Sequence, residues 1–185
     1  MNKNHQLESG VSLLELMAVM LIIAIAATVT MPLLQEQIAI REIESVARKF
    51  IGHAHFARQQ ALHHGESVVL KPLLNGKWES GWVISSGCLS KFSKPECVSK
   101  VWLSQGRIDP IFFRSGGRYF IDPHTGKAGI LFNVAGAAKT AQGGFVANRL
   151  VLGHQRFPDL ERQLILGSGG RWRICDPARD TKRCH

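Results

Sequence analysis

The residues best equipped for chemistry lie near the carboxyl end, in Gly170-Arg171-Trp172-Arg173. Read as a strand, residues 171–175 alternate their side chains, so Arg171 and Arg173 face one way and Trp172 and Ile174 the other. The two guanidiniums then stand about 6.6 Å apart on a rigid edge, and Trp172 and Ile174 anchor that edge in a core. Guanidinium is planar, permanently charged and able to donate two parallel hydrogen bonds, which suits it to phosphate oxygens. Gly169 and Gly170 leave room for a phosphate backbone to come close. Arg179, Lys182 and Arg183 follow, with His185 last, so from Arg171 onward five fixed positive charges meet only Asp176 and Asp180. Arg149, Arg156, Arg162 and Lys139 are candidates for secondary contacts. Such binding is electrostatic and indifferent to base sequence. The same residues also suit a solvated basic edge strand, whose charge blocks strand addition.

Other reactive side chains carry less. His53, His55, His63 and His64 gather at one helix end, but metal pairs on a helix need i, i+3 or i+4 spacing, and His53 and His55 lie about 200° apart. These histidines are expected in solvent. Paired carboxylates in a promising context, a nucleophile elbow, a phosphate loop and a zinc-protease motif are all missing from the sequence, so no enzyme, metal or cofactor is expected. Four cysteines allow three pairings. The sequence-adjacent one, Cys88–Cys97 with Cys175–Cys184, closes two loops of similar size and adds about 2–3 kcal/mol each in an oxidising compartment. The nine-residue spacings argue against zinc, whose cysteine pairs sit two to four apart.

The elements that must carry these residues are sharply divided. Residues 16–34 hold no charge and are nearly all Leu, Ile, Val, Met or Ala. A helix over residues 11–34 is about 36 Å long, enough to cross a bilayer core of ~30 Å. Glu15 lies early in it, where a carboxylate is costly unless it reaches the headgroups or meets a cation. No Lys or Arg occurs between residues 4 and 40. A new amino terminus at Val11, on this chain or a neighbour's, is the nearest available charge. From 35 to 64 the apolar residues Ile40, Ile43, Ala47, Phe50, Ala54, Ala57 and Ala61 recur at helical spacing, so the helix continues and Gly65 stops it. Net charge is +9 overall. Residues 107–185 hold thirteen Lys and Arg against six Asp and Glu, a balance of +7, which makes a plain cytosolic enzyme a poor description.

Beyond Gly65 the pattern turns to short strand-like runs at 67–72, 78–85, 100–103, 111–114, 118–121, 129–132, 149–153, 163–166 and 171–175. Asn75-Gly76 is a hairpin signal. Residues 135–144 are small and Gly-rich and are expected to form a mobile loop. Trp78, Trp82 and Trp102 are expected in the core. The fold class is therefore α+β, with one long helix on an antiparallel sheet domain spanning 65–185.

Gly10-Val11-Ser12-Leu13-Leu14-Glu15-Leu16-Met17 resembles the class III signal of type IV pilins and pseudopilins. The resemblance implies a leader, residues 1–10, cleaved after Gly10 by a prepilin peptidase, methylation of the Val11 amine, and Glu15 as the assembly glutamate. It also puts Pro32 where such helices are often kinked or locally melted. Phe56-Ala57-Arg58-Gln59-Gln60-Ala61, running to Gly65, and Trp78-Glu79-Ser80-Gly81-Trp82 resemble the FimT/GspH group of minor pilins and pseudopilins. That group folds as a long helix against two small β-sheets. Gly170-Arg171-Trp172-Arg173 is similar to the DNA-contacting motif of FimT minor pilins, which serve natural transformation. The implied role is a single-pass inner-membrane protein with its β-rich domain in the periplasm, later part of a surface pilus, binding extracellular DNA through Gly170, Arg171, Arg173, Arg179, Lys182, Arg183, Lys139 and Arg149. Its partners would be DNA, other pilin subunits and the peptidase. The alternative is a structural minor pilin or GspH-like pseudopilin that primes assembly of a pilus or a type II secretion pseudopilus.

Overall fold

The computed structural model describes residues 12–74, 76–87, 100–114, 120–123, 125–139, 144–167, 170–180, 182 and 184. Gly10, Val11, Asn75, the Cys88–Cys97 pair and Arg183 lie outside the described residues, as does the first half of the expected strand at 118–121. Ile121, its last residue, makes an isolated bridge to Ala128.

Helix α1 spans Leu13–His64. Ser12 caps it: its hydroxyl accepts the Leu14 N–H at 3.2 Å and its carbonyl accepts the Leu16 N–H at 3.1 Å. Glu15 sits in the first turn, where a carboxylate complements the positive end of the helix dipole. The segment Met1–Ile38 forms one unit of the chain and Ala39–His185 the other. In the first, α1 is long and apolar enough to cross a membrane, and none of its most apolar stretch is buried. The helix is unbroken through Pro32. The Thr28 and Thr30 hydroxyls, just before it, donate to the carbonyls of Ile25 and Ala26 at 2.7 and 3.0 Å.

In the second unit α1 buries Ala39, Ile43, Ala47, Phe50, Ala54, Ala57 and Ala61, a stripe stepping by three or four residues. Ile40 lies at its margin, half-buried. Most of the stripe is alanine, so strands can approach the helix backbone closely, and Phe50 is the one large anchor. Its ring meets Trp78, Trp82 and Trp172 edge-on at centroid distances of 5.2, 5.1 and 5.7 Å. Gly65, at φ +64°, ends the helix in a conformation open to glycine at little cost.

Two four-stranded antiparallel sheets pack on this stripe. The first contains β1 (Val68–Leu74), β2 (Lys77–Ser86), β3 (Val101–Gln105) and β5 (Ile130–Phe132), in the order β3-β2-β1-β5. The second contains β4 (Ile111–Arg114), β6 (Asn148–His154), β7 (Glu161–Leu166) and β8 (Trp172–Cys175), in the order β4-β6-β7-β8. Inward residues of β6 and β7, among them Leu150, Leu152, Leu164 and Leu166, join the core with Val68, Leu70, Trp82 and Ile84 from the first sheet. Trp82 is fully buried, and its indole N–H donates to His53 Nδ1 at 2.9 Å. His53 is therefore a half-buried acceptor and not the solvated residue expected. Burial, and secondarily the nearby Lys49 charge, lowers its pKa below the usual 6.5. His55, His63 and His64 are exposed as expected, and His64 stacks on Trp102.

Candidate functional site

Strand register decides where the arginines go. Arg149 of β6 pairs with Ile165 of β7, and Ile165 pairs with Arg173 of β8. Arg149 and Arg173 thus occupy one cross-strand row, two strand spacings or about 9.6 Å apart. Leu150, Leu164 and Leu166 alternate with that row and point into the core, so the row lies on the outer face. The adjacent row is Arg114, Val151, Gln163 and Cys175. Arg171 and Arg173 are both exposed. A residue on β4, one on β6 and two at β8 therefore bring four guanidiniums to one sheet face. On that face Arg114 pairs with Glu161, and Arg149 Nη1 donates to Gln163 Oε1 at 3.5 Å.

β8 is an edge strand, and its inner side matches the sequence expectation only in part. Trp172 packs on Phe50 and on Phe120. Ile174, expected to be buried, is 37% exposed, because it sits toward the end of an edge strand. Cys175, on the outer parity, is buried instead by a disulfide to Cys184, with Cα atoms 5.6 Å apart. The connecting segment begins with a turn in which the Arg179 and Asp180 N–H groups donate to the Asp176 carbonyl. Asp176 Oδ1 accepts the Ala178 N–H at 3.0 Å. Arg179 projects outward, 82% exposed, its Nε 3.8 Å from Asp176. Lys182 is exposed as well. The disulfide thus ties the segment that carries exposed Arg179 and Lys182 back to the end of β8.

Two of the expected secondary contacts lie elsewhere. Arg162 is only 6% exposed and points inward. Its Nη1 meets Asp176 at 3.1 Å and donates to the Glu161 carbonyl at 2.8 Å, while Nη2 lies 3.6 Å from Glu44 on α1. It is a structural cation joining β7, the tail and the helix. The cause is alternation: Arg162 shares the parity of Leu164 and Leu166. Arg156 is exposed in the β6–β7 turn, at the far end of β6 from Arg149. Its N–H donates at 3.1 Å to Nδ1 of buried His154, whose Nε2 lies 3.0 Å from Glu42. That backbone donor fixes the proton on Nε2, so His154 donates to the carboxylate.

The described part of the Gly-rich segment is a pinned turn and not the expected mobile loop. The Asn133 side chain accepts the Ala135 and Ala137 N–H groups, and Lys139 bridges to Phe145. Gly136, at φ +68°, lies against the helix, where an added Cβ would come within 2.9 Å of Leu62. Lys139 Nζ stands 4.0 Å over the Phe145 ring. Gly170, at φ +75°, is not open to an approaching ligand on the side a Cβ would occupy. That space holds Arg58, whose Nη1 would be 2.9 Å from the added atom and which donates to the Gly170 carbonyl at 3.4 Å. A cavity of about 370 Å³ lies between these parts, lined by Arg58, Gly136, Ala138, Phe145, Val146 and Gly170. Arg58 was not among the binding residues drawn from the sequence, although it belongs to the helix-end motif at residues 56–61.

No protein-family model matches the sequence, and no curated protein matches it. Among solved structures the fold is similar to that of the type IV minor pilin FimU of Pseudomonas aeruginosa, with a TM-score of 0.51 and 15% identity over 78% of this chain and 96% of that one. A second crystal form of FimU gives 0.49 and 15%, covering 77% and 99%. The minor pseudopilin EpsH from the Type 2 Secretion System of Vibrio cholerae gives 0.49 and 12%, covering 75% and 99%. What this chain shares with FimU at 15% identity is its fold, a long N-terminal helix packed on antiparallel sheets.

Proposed function

We propose that the protein is a minor pilin or pseudopilin, anchored in the inner membrane by the apolar part of α1, whose outer arginine face binds DNA phosphates during uptake in natural transformation. The fold likeness to FimU supports the filament-subunit part, and with it the alternative that the chain only primes assembly of a pilus or secretion pseudopilus. DNA binding rests on one observation: Arg149 and Arg173 share a cross-strand row on an exposed face, and Arg171, two residues before Arg173, is exposed as well. Sheet hydrogen bonding sets the backbone spacing of that row, so little order has to be imposed when a polyanion docks. In this reading Gly10 is the cleavage point, Val11 the methylated terminus, and Glu15 the partner of a neighbour's amine. The globular domain faces the periplasm and later the cell surface.

The test is a gel-shift titration of the full-length chain in detergent micelles across a salt series. Three to five phosphate contacts give a slope of log K against log salt of roughly −3 to −4.5 on duplex DNA. Replacing Arg171 and Arg173 together by Gln removes about two units of that slope. No shift at low salt would leave the assembly role alone standing.

A further inference from the structure

We infer that the cavity between Arg58, Phe145 and Gly170 accepts one unstacked nucleobase, so that the protein takes single-stranded DNA or a frayed end in preference to intact duplex. This rests on the DNA-binding reading above and adds the form of DNA. The volume, about 370 Å³, falls at the small end of the ~300–1,000 Å³ range of small-ligand sites. The walls are chemically divided in a way that fits a nucleotide. Phe145 offers an aromatic face and is 60% exposed, while the Lys139 bridge and the bond from the Val146 N–H to the Ala138 carbonyl fix its backbone. Gly136, Ala137, Ala138 and Gly170, all small, form most of the rest of the enclosure, with Val146. Among the described lining residues the charged one is Arg58, with Lys139 over the Phe145 ring and Arg171 directly after Gly170. No carboxylate lines the cavity among the described residues.

An aromatic ring flanked by cations is the arrangement that stacks bases while holding the backbone. A paired base has both faces covered by its neighbours, so this ring can reach only a base that has left the stack. Phosphate contacts alone act in the other direction, because duplex releases more counterions per contact, about 0.9 against 0.7 for a single strand. A preference for single strand therefore reports the cavity and not the charge.

The experiment measures affinity of the full-length chain in micelles for oligothymidine of about 16 nucleotides and for a duplex of equal length. Tighter binding of oligothymidine is expected. Phe145→Ala should cut that affinity about tenfold while leaving duplex binding unchanged, and Phe145→Tyr should retain it. If both forms bind and Phe145→Ala alters neither, the cavity is not a base site and the phosphate-binding face stands without it. If neither binds at low salt, the DNA-binding reading itself has failed.

Discussion

Arg162 and the Arg171/Arg173 pair make opposite predictions, and the contrast tests the division between structural and ligand-facing arginines. Replacing Arg162 by Gln removes a guanidinium that meets Asp176 at 3.1 Å, Glu44 at 3.6 Å and the Glu161 carbonyl at 2.8 Å. Deleting one partner of a fully buried ion pair costs about 3–5 kcal/mol. Here the side chains of Asp176 and Glu44 are 19% and 37% exposed, so water recovers part of their solvation. Asp176 also keeps its bond from Ala178. A cost at or just below that range applies, about 2–3 kcal/mol, which for a unit of roughly 150 residues lowers Tm by about 4–12 °C. Differential scanning fluorimetry in micelles reads that shift, and the salt titration of DNA binding reads the other axis. Arg162→Gln should lower Tm and leave the salt slope of the residual folded protein unchanged. The double change at exposed Arg171 and Arg173 should shift the slope and leave Tm within about 1–2 °C. A flattened slope with an unchanged Tm for Arg162→Gln would refute the assignment of that residue to the interior.

His53 gives a pH dependence. Its folded pKa lies below 6.5, so the unfolded chain takes up the proton first on acidification. The contribution of this site is whole above about pH 6.5, declines as pH falls from there, and is fully lost below the folded pKa. Tm measured from pH 7.5 down to 5 should therefore drop less steeply in His53→Gln, and identical profiles would sink the argument. Reduction of the Cys175–Cys184 disulfide, or its conversion to serines, reopens a loop of nine residues. It should cost about 2–3 kcal/mol in thermal melts and weaken DNA binding by loosening the segment that carries Arg179 and Lys182.

Much of the fold was legible because it is written in periodicity. The stripe from Ile43 to Ala61 and the stop at Gly65 follow from apolar spacing and one glycine, while at its start Ala39 and not the expected Ile40 is the buried residue. The parity of Arg171, Trp172 and Arg173 follows from strand alternation. Ile174 escaped that logic because alternation assigns a face but not the extent of cover at a sheet edge. Arg162 is more instructive: it was expected as a secondary phosphate contact, but it shares the parity of Leu164 and Leu166, and its partners Glu44 and Asp176 come from parts of the chain that only tertiary packing unites. The alignment of Arg149 with Arg173 depends on β7 lying between their strands, and no local pattern states that order. Arg58 was hidden for a similar reason, since Gly170 reads as flexibility until the helix side chain beside it is known. Gly81 is comparable: at φ +95° an added Cβ would fall 2.1 Å from the Gln105 carbonyl, a constraint imposed by the neighbouring strand.

The cross-strand row also makes the binding face a property of reading frame within the sheet. A side-chain period of two tolerates no single-residue slip, since each such shift exchanges the two faces of a strand. Losing one residue from the short connection between β7 and β8 would swing Arg173 toward the leucine layer and push Trp172 into solvent. Insertions or deletions in that connection are thus confined to changes that restore parity, and its length is under tighter restraint than its composition.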